Sequence, residues 1–371
     1  SDVLIDVCNT PVSPELLPHK ELHRIVKTMA HKKLTDLMTL YENPTGNRAL
    51  RRQLARRSID LLQETGIDDI VVTSGCIEAV SLSLQAVARP GDTILVESPT
   101  YPWFLQLIED HNMFALEMPT DHRTGIDLEQ LEQTIGTNTV AACLLVPNFH
   151  NPLGFEMPIE KKKALVKMMA AAKVPIIEDN IHGELYFGNA RPATLKSLDR
   201  NGWVMHCASF SKTLSPGLRV GWCLPGRHTE RIRRLKLNGT VASPTLNQRA
   251  VADFLKSGAY DRHLRRLRTA LKNQISNMAL AIARHFPQGT RITAPKGGLT
   301  EIGHAGPEFA FDCETPRHQV FVRPFELASR AVTNGEWLAF IEAGGYQTPD
   351  YWLSDGFAVA ERERWQAPLY W

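Results

Sequence analysis

The chain of 371 residues is too long for one small core, so two domains, or one large domain with an appendage, are expected. Its 42 Lys and Arg against 40 Asp and Glu leave a formal charge of +2, which argues against broad electrostatic binding of nucleic acid or an anionic membrane and favours a small charged metabolite as partner. Six cysteines without C-x-x-C spacing read as reduced core thiols; with no basic apolar leader and no apolar stretch near the ~20 residues of a membrane span, a cytoplasmic protein is expected.

From about residue 66 to 225 a short apolar run is followed again and again by an amphipathic segment. The runs are "IVVTS" at 70, "TILVES" at 93, "TVAACLLVP" at 139, "VPIIED" at 174 and "WVMHCAS" at 203. Nearly continuous Val- and Ile-rich hydrophobicity fits strands covered on both faces of a mostly parallel sheet. Between them "EAVSLSLQAVA", "DLEQLEQTI" and "PIEKKKALVKMMAAA" have helical spacing, with Pro158 suited to a first turn. The expected fold is α/β, with a three-layer αβα large domain. Residues 226 to about 286 turn helical and basic; without interleaved aromatics these charges read as solvated helix faces. After "PKGG" (295–298) the rhythm stops, and Trp337, Trp352, Trp365 and Trp371 gather in an irregular α+β tail in which Thr333 and Glu336 open one capped helix.

Open α/β sheets bind ligands at the carboxyl ends of their strands. Those ends carry "TSGCIEA", "ESPTYPW", "PNFHNPLG", "EDNIHGE" and "SFSKTLSPGLR". A lysine held there, Lys212, is suited to a Schiff base with a carbonyl, since burial and a nearby cation free its lone pair. The matching carbonyl is the aldehyde of pyridoxal 5′-phosphate, which also needs an anion site and a partner for its ring nitrogen. Ser74, Gly75, Cys76 and Ile77, at the start of a helix, offer the anion site, completed by Ser209 and Arg219. Asp179 is the candidate ring-nitrogen partner: opposite charges 4 Å apart attract by about 4 kcal/mol at an effective dielectric of 20, or roughly three pKa units before desolvation.

With "YENPTGNRALRRQLA", "VTSGCIEAVSLSLQAVARPGDTILVESPTYP", "PNFHNPLG", "IIEDNIHGELYF" and "SFSKTLSPGLRVGW" in this order, residues 1–298 resemble a fold-type I pyridoxal-phosphate-dependent aminotransferase, most nearly the aminotransferase-like domain of MocR-type regulators of the GntR class. The resemblance implies that Lys212 is the Schiff-base lysine, Asp179 the ring-nitrogen partner, Asn151 a donor to the ring's O3′ and Tyr101 a flanking group over the ring. It also implies a homodimer in which Tyr41 reaches a cofactor phosphate across the interface, and an amino acid and a keto acid as substrates. His182 stands near the place where relatives commonly have a tyrosine donating to O3′; it is either that donor or a histidine satisfied at a helix start.

The implied organisation is an N-terminal arm (1–40), a large cofactor-binding domain (41–235), linking helices with a truncated small domain (236–298) and a fragment (299–371) that resembles part of the formylglycine-generating-enzyme-like domain of ergothioneine-pathway sulfoxide synthases. A junction of two unrelated proteins is expected at Gly297-Gly298. The family's carboxylate-binding arginine is missing, and Arg317, Arg323 or Arg330 replace it only by accident. His19 and His23 lack the glutamate of an iron-binding H-x-x-x-H-x-E pattern, and His304 and His318 lack companions, so no metal is expected. No DNA-binding segment is expected ahead of residue 1. An aminotransferase is the first expectation, a ligand-sensing module of a regulator the second, and a cofactor-binding chimera of little activity the third.

Overall fold

A computed structural model describes residues 12–59, 66–286, 292, 295–298, 301–302, 318–319, 340–348 and 366. In chain order the elements are α1 (His19–Thr39), α2 (Arg48–Ile59), β1 (Val71–Thr73), α3 (Cys76–Val87), β2 (Thr93–Ser98), α4 (Pro102–Asp110), β3 (Phe114–Asp121), β4 (Gly125–Ile126), α5 (Leu128–Thr137) and β5 (Val140–Leu145). They continue with α6 (Ile159–Ala172), β6 (Ile176–Asp179), α7 (Leu195–Leu198), β7 (Val204–Ser209), β8 (Gly221–Leu224), α8 (Thr229–Thr240), α9 (Thr245–Lys256), α10 (Ala259–His285), β9 (Glu301–Ile302) and β10 (His318–Gln319).

One eight-stranded sheet has the order β1-β8-β7-β6-β5-β2-β3-β4. Strands β2, β3, β5, β6 and β7 pair in parallel, whereas β8 runs antiparallel to both β1 and β7. The fold is therefore α/β with a mixed, mostly parallel sheet. Alternation along each strand builds the layers: Ile94 and Val96 of β2, Ala142 and Leu144 of β5 and Ile177 of β6 enter one core with α3 and α4. Leu95, Cys143, Leu145 and Ile176 enter another with α5 and α6. Both faces are covered, which is why these strands read as unbroken apolar runs rather than as an alternating pattern. A third core joins β1 and β8 to α2 and α9 through Val72, Leu224, Leu50 and Phe254.

The chain divides into two compact units, Cys8–Ser276 with Thr293–Phe321, and Ser1–Val7 with Asn277–Ile292 and Val322–Trp371. The sheet and its helices form the first. In the second, the described residues include the end of α10 and a short turn where the rings of Phe340 and Tyr346 meet edge to face at 5.8 Å. The expected capped helix at Thr333–Glu336, His304, Arg317, Arg323 and Arg330 lie outside the described residues, as does most of the expected fragment 299–371. Among the described residues no helix is long and apolar enough to cross a membrane. Cys76, Cys143, Cys207 and Cys223 are buried free thiols.

Candidate active site

Because β1, β5, β6 and β7 point the same way, their carboxyl ends share one edge of the sheet. Strand β6 ends on Asp179, which is only 5 % exposed. Burial, against the help of the Ile181 N–H and the Cys76 thiol, pushes its carboxyl up to about 6. The Ile181 N–H donates to Asp179 Oδ1 at 2.8 Å, and the Cys76 thiol lies 3.4 Å from the same oxygen. Cys76 thus contributes a side chain beside Asp179 as well as a place in the first turn of α3. Its side chain faces the aspartate, and burial with the nearby carboxylate raises the thiol well above its ordinary range.

Lys212 sits in the half-buried turn after β7. Burial lowers its amine below the ordinary lysine range, and the attraction of Asp179 restores only part of the loss. His182, three residues beyond Asp179, is 2 % exposed. Neither of its ring nitrogens makes a hydrogen bond of normal geometry among the described residues. Burial first, then the Lys212 charge, lower the imidazole to about 3, with the Phe149 backbone opposing weakly, so the ring is neutral. His182 stands in a turn after β6 rather than at the start of a helix. Tyr101 stands at the N-cap position of α4, without a side-chain cap hydrogen bond, and meets Phe104 edge to face at 5.3 Å. Burial and the Asp179 and Cys76 charges raise its phenol to about 12.

The turn from β1 into α3 is shaped by glycine. Gly75 has φ 98°, and a Cβ there would collide with the guanidinium of Arg219; a Cβ at Gly221 would come within 2.5 Å of the Gly75 carbonyl carbon. Arg219 donates to the Ser74 carbonyl at 2.7 Å. The turn leads into the first residues of α3, Cys76 and Ile77, at the positive end of the helix dipole. Ser209, buried at the end of β7, accepts the Ser211 N–H at 3.3 Å.

Asn151 lies half-buried in the loop after β5. That loop is tied down by the buried Lys162, which donates to Asn148 Oδ1 at 2.5 Å and the Ala193 carbonyl at 2.8 Å. Burial lowers the Lys162 amine to about 8. The Val146 N–H also donates to Glu97 Oε2 at 2.7 Å. Tyr41, by contrast, is 89 % exposed within this chain, with Met38 and Leu40 exposed beside it in sequence.

The structure thus brings Asp179, Lys212, His182, Tyr101 and Cys76 together electrostatically, and Ser74, Gly75 and Arg219 by contact. Sequence reasoning missed Lys236 and Thr240, which donate to Glu78 behind the same turn, and Ser243, which accepts from Lys236. Their only sequence signal is a lysine on the apolar side of a helix otherwise rich in arginine. Among the described residues no group of three or more His, Cys, Asp or Glu side chains is arranged to hold a metal ion.

Residues 14–326 match the family described as aminotransferase class I and II. The chain belongs to that family. The match runs past Gly298, the expected junction, and the resemblance of the tail to the formylglycine-generating-enzyme-like domain gains no support from it. Among aminotransferase relatives, the 2-aminoadipate transaminase of Thermus thermophilus is 31 % identical over 293 residues, 77 % of this chain and 71 % of that one. An uncharacterized HTH-type transcriptional regulator of Escherichia coli, YdcR, is 41 % identical over 282 residues, 75 % of this chain and 59 % of the regulator. The chain thus spans about three-fifths of that curated relative's length. The crystal structure of LysN, an α-aminoadipate aminotransferase from Thermus thermophilus complexed with N-(5′-phosphopyridoxyl)-L-leucine, superposes with TM-score 0.74 at 28 % identity, covering 79 % of this chain and 74 % of LysN.

Proposed function

We propose that this site binds pyridoxal 5′-phosphate and transfers an amino group between an amino acid and a 2-oxo acid. The observation that carries the reading is a half-buried amine, Lys212, in the turn after β7 and within electrostatic reach of a buried carboxyl, Asp179, beside a helix N-terminus that no side chain caps. The residues fit the cofactor: the buried His182 ring, helped only weakly by the Phe149 backbone, has hydrogen-bonding capacity left for a polar guest, and the Gly75 turn is kept free of side chain under Arg219. When bound, the cofactor supplies a carbonyl for covalent attachment and a ring that draws electrons from the reacting carbon.

In this reading Lys212 supplies the attacking amine, its lowered proton affinity leaving more of it neutral near pH 7, and afterwards carries a proton at Nζ as acid and base. Asp179, balanced near 6, ionises fully beside a ring cation and holds that proton in place. Cys76, Ile77, Ser74, Ser209 and Arg219 hold the phosphate. His182 and Asn151 donate to the ring oxygen, and Tyr101 flanks the ring. A cytoplasmic homodimer belongs to the same proposal, with Tyr41 of one copy completing the phosphate site of the other, in keeping with its 89 % exposure.

A second reading, a ligand-sensing module of a transcriptional regulator, is favoured by the 41 % identity to YdcR, a protein named as an HTH-type regulator of which this chain spans 59 %. Adding pyridoxal 5′-phosphate and then a panel of amino and 2-oxo acids separates the two. A visible band that Lys212→Ala removes, with turnover of some pair, supports the transferase. A band that amino acids shift without turnover supports the sensor, and the absence of any band sinks both.

A further inference from the structure

The first turn of α3 carries a carboxylate, Glu78, at a place where an incoming phosphate would meet it as a like charge. Glu78 is held away by four hydrogen bonds. Lys236 Nζ reaches Oε1 at 3.0 Å and Oε2 at 2.7 Å, the Thr240 hydroxyl reaches Oε1 at 2.8 Å, and the Ser74 N–H reaches Oε2 at 2.5 Å. Lys236 is wholly buried, its side chain 0 % exposed, and it also donates to Ser243 Oγ at 3.1 Å. Ser243 Oγ in turn lies 3.5 Å from Ser74 Oγ. Ser74 is gripped from its other end by Arg219 on the carbonyl at 2.7 Å. The Ser74 N–H is therefore spent on fixing the turn, which leaves the N–H groups that follow it to face an anion.

We infer that Glu78 and Lys236 are positioning residues for the phosphate site: the carboxylate anchors the Ser74 N–H so that the following N–H groups face the ligand, and the buried ammonium cancels the charge that the anchor brings. This inference rests on the cofactor reading above and names residues that act through the turn. Burial alone would raise the Glu78 carboxyl, but hydrogen bonds from Lys236, Ser74 and Thr240 outweigh it and hold the group below its ordinary range, so the acid stays charged and the need for Lys236 is permanent. Removing only Lys236 strands a negative charge behind the anion site.

The test is a binding cycle on the full chain with two probes, pyridoxal 5′-phosphate and phosphate-free pyridoxal, read by the visible band and by competition with inorganic phosphate. Lys236→Met is expected to weaken the phosphorylated probe about tenfold or more, leave pyridoxal within about twofold, and be restored to within about threefold by adding Glu78→Gln. Glu78→Gln alone leaves an uncancelled ammonium behind the turn and is expected to tighten inorganic phosphate by about threefold or more. Equal loss of both probes, or loss that Glu78→Gln fails to restore, marks a purely structural pair and overturns the inference. Unchanged affinity in Lys236→Met does the same. If Lys236→Met does not fold, as judged by circular dichroism, the Glu78→Gln phosphate measurement decides alone. Wild-type protein that takes up neither probe defeats the cofactor reading instead, which keeps the two failures distinct.

Discussion

The guanidinium of Arg219 occupies the space into which a side chain at Gly75 would grow, and the backbone of Gly75 occupies the space of a side chain at Gly221. Two glycines and an arginine, drawn from the turn after β1 and from the segment that leads into β8, thus form one interlocked turn. Gly75→Ala combines an unfavourable φ with a collision, and is expected to cost roughly 1–3 kcal/mol and to displace Arg219. Gly91, with φ 90° and nothing within 4 Å of the place a methyl would take, is the control, since Gly91→Ala brings the backbone strain alone. Thermal unfolding of both variants, with and without inorganic phosphate, checks this: only Gly75→Ala is expected to lose the stabilisation by phosphate.

Asp179 predicts a pH signature of the ligand-free protein. Its folded carboxyl titrates near 6 against 3.8 when unperturbed, so between those values the folded state binds more protons and stability falls as pH rises. The penalty is complete above about pH 6 and absent below about 3.8, and a shift of that size corresponds to an upper figure of about 3 kcal/mol. Asp179→Asn is therefore expected to raise the melting temperature of ligand-free protein at pH 7, with an advantage that shrinks as pH falls toward 4. Parallel melts across that range decide it.

His182 contributes with the opposite sign. Its imidazole titrates near 3 in the fold against an ordinary 6.5, so the unfolded state binds more protons in that window and stability falls as pH drops through it. Its buried and poorly satisfied ring nitrogens also carry a desolvation cost, and His182→Phe is expected to stabilise the ligand-free protein by about 1–3 kcal/mol at neutral pH. In the proposed reading the same change removes a donor to the ring oxygen and is expected to raise the titration midpoint of the visible band by about one pH unit. Denaturant melts and a spectrophotometric pH titration read the two effects separately.

Much of this architecture was legible because the central strands are covered on both faces. "TILVES" coincides with β2 from Thr93 to Ser98, and all five apolar runs contain a strand. Strand β3, Phe114–Asp121, was not foreseen: near the sheet's edge, it buries only Met118 fully, and its sequence has no continuous apolar run. Strand β8 was missed for a different reason, since four residues starting inside "GLRVGW" carry too little pattern. At the site, Lys212, Asp179 and Gly75 announced themselves by standing at strand ends. The Glu78 and Lys236 contact did not, because it joins residues 158 apart on two helices and depends on burial that a string of residue types does not encode.

The central claim is a covalent attachment at one half-buried amine. Protein incubated with pyridoxal 5′-phosphate, reduced with borohydride, digested and mapped by mass spectrometry is expected to carry the pyridoxyl group on Lys212, at close to one per chain. Folded wild-type protein whose label is absent from Lys212, or spread over surface lysines to the same extent in Lys212→Ala, would contradict the account.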